Sequence, residues 1–293
     1  APLEIDAQRA VLDAVRAILA LPRQRQPSAV QQLTQRLGAG EAEEWNTRFG
    51  EGSLFEAWTQ TTVARGAYEA NRALLPRHGH VVEVGGGDGR LWASGGFEGE
   101  LTLFDPVPEV HEVVRTRVPR LRSRVEPVGV DIPACDLLVC SMTLHHVAGR
   151  DEQERRRHGF SGPGKVEILR AMGHAAGRVI LNEANVHCEL DLAPGDPVLR
   201  DNLLDSYVRR CGHALLDQIE AEPDSPFVPR WRHILHRWCL DQLALAEVPR
   251  AERDVYELDV RRWEECFDAA GLTPVSRRFT DDYGLFVQYV LEA

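Results

Sequence analysis

VVEVGGGDGRL, residues 81–91, decides how the rest of the chain is read. An apolar, β-branched run with one acid, Val81 to Val84, leads into Gly85, Gly86, Gly87 and Gly89, interrupted only by Asp88. Glycine reaches positive φ without steric cost and lets a ligand or another backbone come close. The stretch predicts a strand followed by a tight strand-to-helix turn wrapped around something.

Working outward, short apolar runs at 81–84, 101–104, 125–130, 136–141, 178–183 and 285–291 alternate with helical stretches. That alternation predicts an α/β fold with a doubly wound, mostly parallel, Rossmann-like sheet. Upstream, Ile5, Leu12, Val15, Ile18 and Leu19 recur at helical spacing until Pro22. Ser28 and Gln31 make a capping-box pattern, and a third helical region covers 53–75 before Pro76. Residues 1–76 therefore read as an N-terminal helical segment and 77–293 as the main domain. Within the latter, 187–256 read as helices. Leu203, Leu204, Tyr207, Val208, Cys211, Leu215, Leu216 and Ile219 form one apolar stripe. Trp231, Ile234, Leu235, Trp238 and Leu243 form another. Ligands of open α/β sheets bind at the carboxyl ends of the strands, so an insertion after the fifth strand predicts a helical cap over that edge.

Composition narrows the function. A chain of 293 residues, 43% apolar and 27% charged, is ordinary for a soluble globular protein. A formal charge of −11 argues against nucleic acid or an anionic membrane surface as partner. No apolar run approaches the ~20 residues of a membrane span. The start of the chain, with Glu4, Asp6 and Arg9, has no signal-peptide core. Cys135, Cys140, Cys188, Cys211, Cys239 and Cys266 are scattered without a C-x-x-C pair, which predicts reduced thiols in a cytoplasmic protein. Lys165 is the one lysine, the other 33 basic side chains being Arg, a bias read here as compositional.

A dinucleotide fingerprint G-x-G-x-x-G starting at Gly85 needs glycine at position 90, where Arg90 stands. The pattern Glu83, Gly85, Gly87, Gly89 fits S-adenosylmethionine instead, the glycines admitting its amino-acid end. Asp105 ends LTLFD, where an acid can hold two ribose hydroxyls. Asp131 ends the predicted third strand, where it can reach the adenine amine.

VVEVGGGDGRL, LFDPVPEV, VGVDIPACDLLVCSMTLHHV and KVEILRAMGHAAGRVILNE together resemble class I S-adenosylmethionine-dependent methyltransferases, in particular the small-molecule O-methyltransferases of the plant caffeate and bacterial antibiotic type. The likeness spans 80–186 and, more loosely, 257–293. It implies a general base at His145, which takes the proton of the acceptor hydroxyl, with His146 standing where the family has Asp. It implies a supporting carboxylate at Glu183 and a second at Glu257, although the Arg and Thr that follow in the family are absent. Pro106, Ile132 and Ser141 fall at cofactor-contacting positions of the resemblance. The expected partners are a small-molecule acceptor of secondary metabolism and a second copy of the chain. The N-terminal segment is shorter than the family's dimerisation domain, and 187–256 replaces a shorter family segment, so the acceptor is not inherited from the resemblance.

The chemistry stands without the family. A neutral hydroxyl is a poor nucleophile, and a His beside a carboxylate can take its proton near neutral pH. Two alternatives stay open: a metal-assisted C- or O-methyltransferase using His145, His146 and His187, and a protein that binds the cofactor without transferring methyl. GFSGPGKV at 159–166 imitates a phosphate loop but lacks the preceding strand and the final Ser or Thr.

Overall fold

The computed structural model of the chain describes residues 53–147, 164–186, 192–236 and 255–293, with scattered residues within 13–32 and 245–248. The expected N-terminal helices at 5–21 and 28–38 lie largely outside the described residues. The elements are α1 (Leu54–Thr59), α2 (Thr62–Arg72), β1 (His80–Val84), β2 (Glu100–Phe104), α3 (Pro108–Arg115), β3 (Leu121–Arg124), β4 (Leu137–Ser141), α4 (Lys165–Ala175), β5 (Arg178–Ala184), α5 (Pro197–Leu203), α6 (His213–Ala221), α7 (Val228–His236), α8 (Val260–Ala270), β6 (Thr273–Phe279) and β7 (Phe286–Glu292).

The strands form one seven-stranded sheet in the order β3-β2-β1-β4-β5-β7-β6. β1 to β5 pair in parallel, and β7 enters antiparallel between β5 and β6. The central strands are apolar on both faces because both faces are covered. One face buries Val81, Leu101, Leu103, Val139 and Ile180 against Tyr68 of α2 and Val110 and Val114 of α3. The other buries Val82, Leu138 and Leu181 against Ile168 and Met172 of α4 and Trp263 and Phe267 of α8.

Three local expectations are corrected, and one strand, β6, was not expected. β3 is Leu121–Arg124 rather than 125–130. It is an edge strand whose alternating Leu-Arg-Ser-Arg carries little apolar signal, while the run that suggested a strand leaves Val125 and Val130 more than half exposed. β6 has exposed residues along its whole length, so no buried periodicity marked it. The helix expected after the glycine turn is a single 3-10 turn, Arg90–Trp92, and α2 packs beside it, bringing Tyr68 to Leu91 and Trp92. The region 53–75 is two helices, because Thr61 turns out of α1 and caps α2 by accepting from Ala64 N–H.

The described part of 187–256 is helical and sits on the carboxyl edge. A nine-residue π-helical stretch, Leu204–Gly212, joins α5 to α6. Both apolar stripes are buried wherever they are described, in one cluster with Ala184 and Val186 at the end of β5, Phe286 at the start of β7, and Ala57 and Trp58 of α1. Trp238 and Leu243 lie outside the described residues.

Candidate active site

Past Val84 the chain turns through Gly85, Gly87 and Gly89 at φ of 72°, 52° and 68°. Gly85 N–H donates to Phe104 O at the end of β2, 2.9 Å away. A Cβ on Gly85 would run into the Thr143 hydroxyl beyond β4, so this position needs glycine for conformation and for close approach alike. On Gly87 a Cβ would stand 2.7 Å from Cζ of Phe55, so the ring of an α1 residue lies over the turn.

Two buried carboxyls flank the turn. Glu83, in β1, is 2% exposed, and its Oε2 accepts the indole N–H of Trp92 at 2.7 Å. Burial pushes its carboxyl up to about 8, with the Trp92 hydrogen bond opposing and the charges of Asp105 and Asp88 adding to the rise. Asp105, just past β2, accepts Val107 N–H at Oδ1 (2.9 Å), and its backbone oxygen is held by His111 Nε2 (2.9 Å). Burial raises its carboxyl too, against the hydrogen bond from Val107, the neighbouring His111 and the Gly86 N–H. A glycine turn between two buried acids at adjacent strand ends is a donor set that fits the amino-acid end and the ribose of S-adenosylmethionine.

The other predicted cofactor residues are less uniform. Pro106 is exposed beside Asp105. Ser141 ends β4 one register step from the turn, and its Oγ accepts from Asn71 of α2 at 3.2 Å. Asp131 does not end a strand. It is exposed in the loop after β3, and its neighbour Ile132 lines a cleft of about 440 Å³ with Glu167, Arg170 and His174 of α4.

β4 leads into the second half of the site. Met142 has φ of 50°, and its N–H donates to Asn182 O at 2.7 Å. This bend starts the 3-10 turn Leu144–His146. Glu183 of β5, 0% exposed, grips that turn: Oε1 accepts Thr143 N–H (2.8 Å) and Leu144 N–H (2.6 Å). Its Oε2 meets His145 Nδ1 at 3.0 Å. The carboxylate thus fixes both the backbone and the ring of the same turn. The His145 side chain is 15% exposed, and among the described residues no hydrogen bond involves its Nε2. Burial lowers its affinity for a proton, but Glu183, with help from Glu257, outweighs that and raises the imidazole above its ordinary value, while Lys165 opposes.

Glu257 also comes to this turn, through its neighbour. Tyr256 N–H donates to His145 O at 2.6 Å. The Glu257 carboxylate accepts the hydroxyl of Tyr207 from the π-helical stretch. Three residues further on, Arg210 bonds Asn185 O and Gly284 O, each at 2.8 Å, and so ties the cap to the ends of β5 and β7. π-Helical turns are frequent at functional sites.

Sequence reasoning brought His145, Glu183 and Glu257 to one place but missed three neighbours. Tyr207 had been read as core, and Phe55 had no signal. Lys165, buried beside the His145 turn, had one signal: it is the chain's only lysine. His146 is exposed, and its ring lies against His145, tilted by 44° with ring centroids 4.1 Å apart. His187 lies outside the described residues. Among the described residues, no group of three His, Cys, Asp or Glu is placed to hold a metal ion.

No family model and no curated protein matches the sequence. Solved structures do match the fold. SCL7 of Oryza sativa is 15% identical with a TM-score of 0.59, covering 97% of this chain and 99% of that one. A TehB-like S-adenosylmethionine-dependent methyltransferase of Corynebacterium glutamicum is 12% identical with a TM-score of 0.40, covering 78% of this chain and 86% of that one. An O-methyltransferase family 2 protein of Planctomyces limnophilus, solved in complex with apigenin, is 13% identical with a TM-score of 0.42, covering 92% of this chain and 62% of that one. At such identities the likeness is one of fold alone, a seven-stranded, mostly parallel Rossmann-like sheet flanked by helices.

Proposed function

We propose that this chain is an S-adenosylmethionine-dependent methyltransferase that methylates a hydroxyl of a small-molecule acceptor. The observation that carries the reading is the His145–Glu183 pair, at 3.0 Å, on the strand end next to the glycine turn. Bound at that turn, S-adenosylmethionine supplies a methyl group on a positively charged sulfur.

The chain's own residues do the rest. Asp105 accepts hydrogen bonds from the ribose hydroxyls, and Glu83 faces the α-ammonium of the amino-acid end. Glu183 holds His145 in the tautomer with hydrogen on Nδ1, which leaves the Nε2 lone pair for the acceptor. The acceptor's proton passes to Nε2, and Glu183 stabilises the resulting imidazolium. The cap and α1 cover the carboxyl edge, align the acceptor and exclude water, which is how position becomes rate. Glu257, held by Tyr207, is the carboxylate on the cap side of the base.

The reading is tested by titrating the protein with S-adenosylhomocysteine, then incubating it with methyl-labelled cofactor and a panel of small phenols and alcohols. Micromolar binding followed by label in an ether supports it. Failure to bind removes the cofactor assignment. Binding without transfer to any hydroxyl acceptor favours a protein that holds the cofactor for another purpose.

A further inference from the structure

Lys165 is the single lysine in a chain whose other 33 basic residues are Arg, and it is fully buried. It opens α4. Its Nζ donates to Val147 O, and it lies over the face of Tyr256, 5.6 Å from the ring centroid. Both contacts flank the base. Val147 closes the 3-10 turn that presents His145, and Tyr256 N–H holds the His145 carbonyl at 2.6 Å. One ammonium therefore joins three separate pieces of chain around one imidazole.

The charges around His145 explain why a cation belongs there. Glu183 faces the ring from β5 and Glu257 from the segment before α8, the latter held by Tyr207 and near Arg210 of the cap. The His146 ring, tilted, lies against that of His145 from the same turn. Behind it, the Cys140 thiol of β4 is kept neutral by burial. The two carboxylates favour the imidazolium, and a nearby cation weakens that pull. A buried cation needs compensation, which the carbonyl, the aromatic face and the carboxylates supply. A lysine delivers that charge as a compact point, whereas an arginine fork must place five N–H groups.

We propose that Lys165 is a positioning residue of the base: its ammonium pins the His145 turn to Tyr256 and sets a positive charge against Glu183 and Glu257. The proposal rests on His145 being the base, but its test needs no acceptor. The titration of His145 is followed by NMR in the wild type, Lys165→Met and Lys165→Arg. Removing the charge should raise the His145 midpoint by ~0.5 unit or more, and the Arg variant should recover at least half of that shift. The single lysine also gives a single side-chain signal, so ¹³C-lysine labelling of the wild type should show a Cε resonance with an inflection at the His145 midpoint, lost in His145→Ala. A midpoint that stays put or falls in Lys165→Met overturns the proposal, and marks Lys165 as merely structural. Should Lys165→Met not fold, a wild-type Cε signal without the inflection overturns it equally. A shifted midpoint in a protein that transfers no methyl keeps the coupling of Lys165 to His145 and removes the methyltransferase reading on which the positioning role rests.

Discussion

Burial gives the two acids of the glycine turn an unusual hold on their protons, and cofactor binding should reveal it. Glu83 is pushed up to about 8, so the free protein carries it neutral at pH 7. The α-ammonium of a bound amino-acid end beside Glu83 favours the ionised form, so binding of S-adenosylhomocysteine at pH 7 should release up to one proton. Calorimetry in buffers of different ionisation heat should show that release in the wild type and its loss in Glu83→Gln. A binding heat independent of buffer contradicts the placement of Glu83. At Asp105, Asp105→Ala removes two charge-assisted hydrogen bonds, each worth ~1.5–3 kcal/mol. Affinity should fall at least tenfold, and undiminished binding contradicts the ribose assignment. The positions of Glu83 and Asp105 beside the turn were legible because short strands and a tight turn fix where their residues fall. Asp131 was misplaced because its assignment depended on where an edge strand ends. Lys165 and Tyr207 acquire their meaning only when α4 and the π-helical stretch fold against the His145 turn, which no local pattern encodes.

Elements carry the next layer. The cap and α1 meet through Trp231 of α7, which is fully buried and donates its indole N–H to Ala57 O at 2.8 Å. Trp231→Ala should cost ~3–5 kcal/mol in denaturant unfolding, the usual range for deleting a buried aromatic. A loss under ~1 kcal/mol contradicts the packing of the cap on α1. The long helical stripes were readable because helices bury one face at a fixed period. The edge strands β3 and β6 were not, since charged or exposed residues protect an edge from further pairing and erase the alternation that marks a strand. The shortened β1-to-β2 connection was also hidden, because glycine permits a turn without stating how long the following helix is.

Across the whole molecule, the raised acids set how stability depends on pH. A carboxyl whose folded value lies above its unfolded one stabilises the fold below the unfolded value and loses that contribution as pH rises through the folded one. For Glu83 this window runs from 4.5 to about 8, and Asp105 and His145, both raised, act in the same sense. Stability should decline across that window in the wild type and decline less in Glu83→Gln; equal slopes would contradict the buried neutral acid. The central claim joins this scaffold to a reaction, and the rate of methyl transfer from labelled S-adenosylmethionine to an acceptor hydroxyl, compared between wild type and His145→Ala at matched cofactor occupancy, tests it most directly. The account expects the rate to fall by ~10²–10⁴ in the variant, the usual contribution of a positioned base, with cofactor affinity unchanged. Transfer by His145→Ala at the wild-type rate would contradict it.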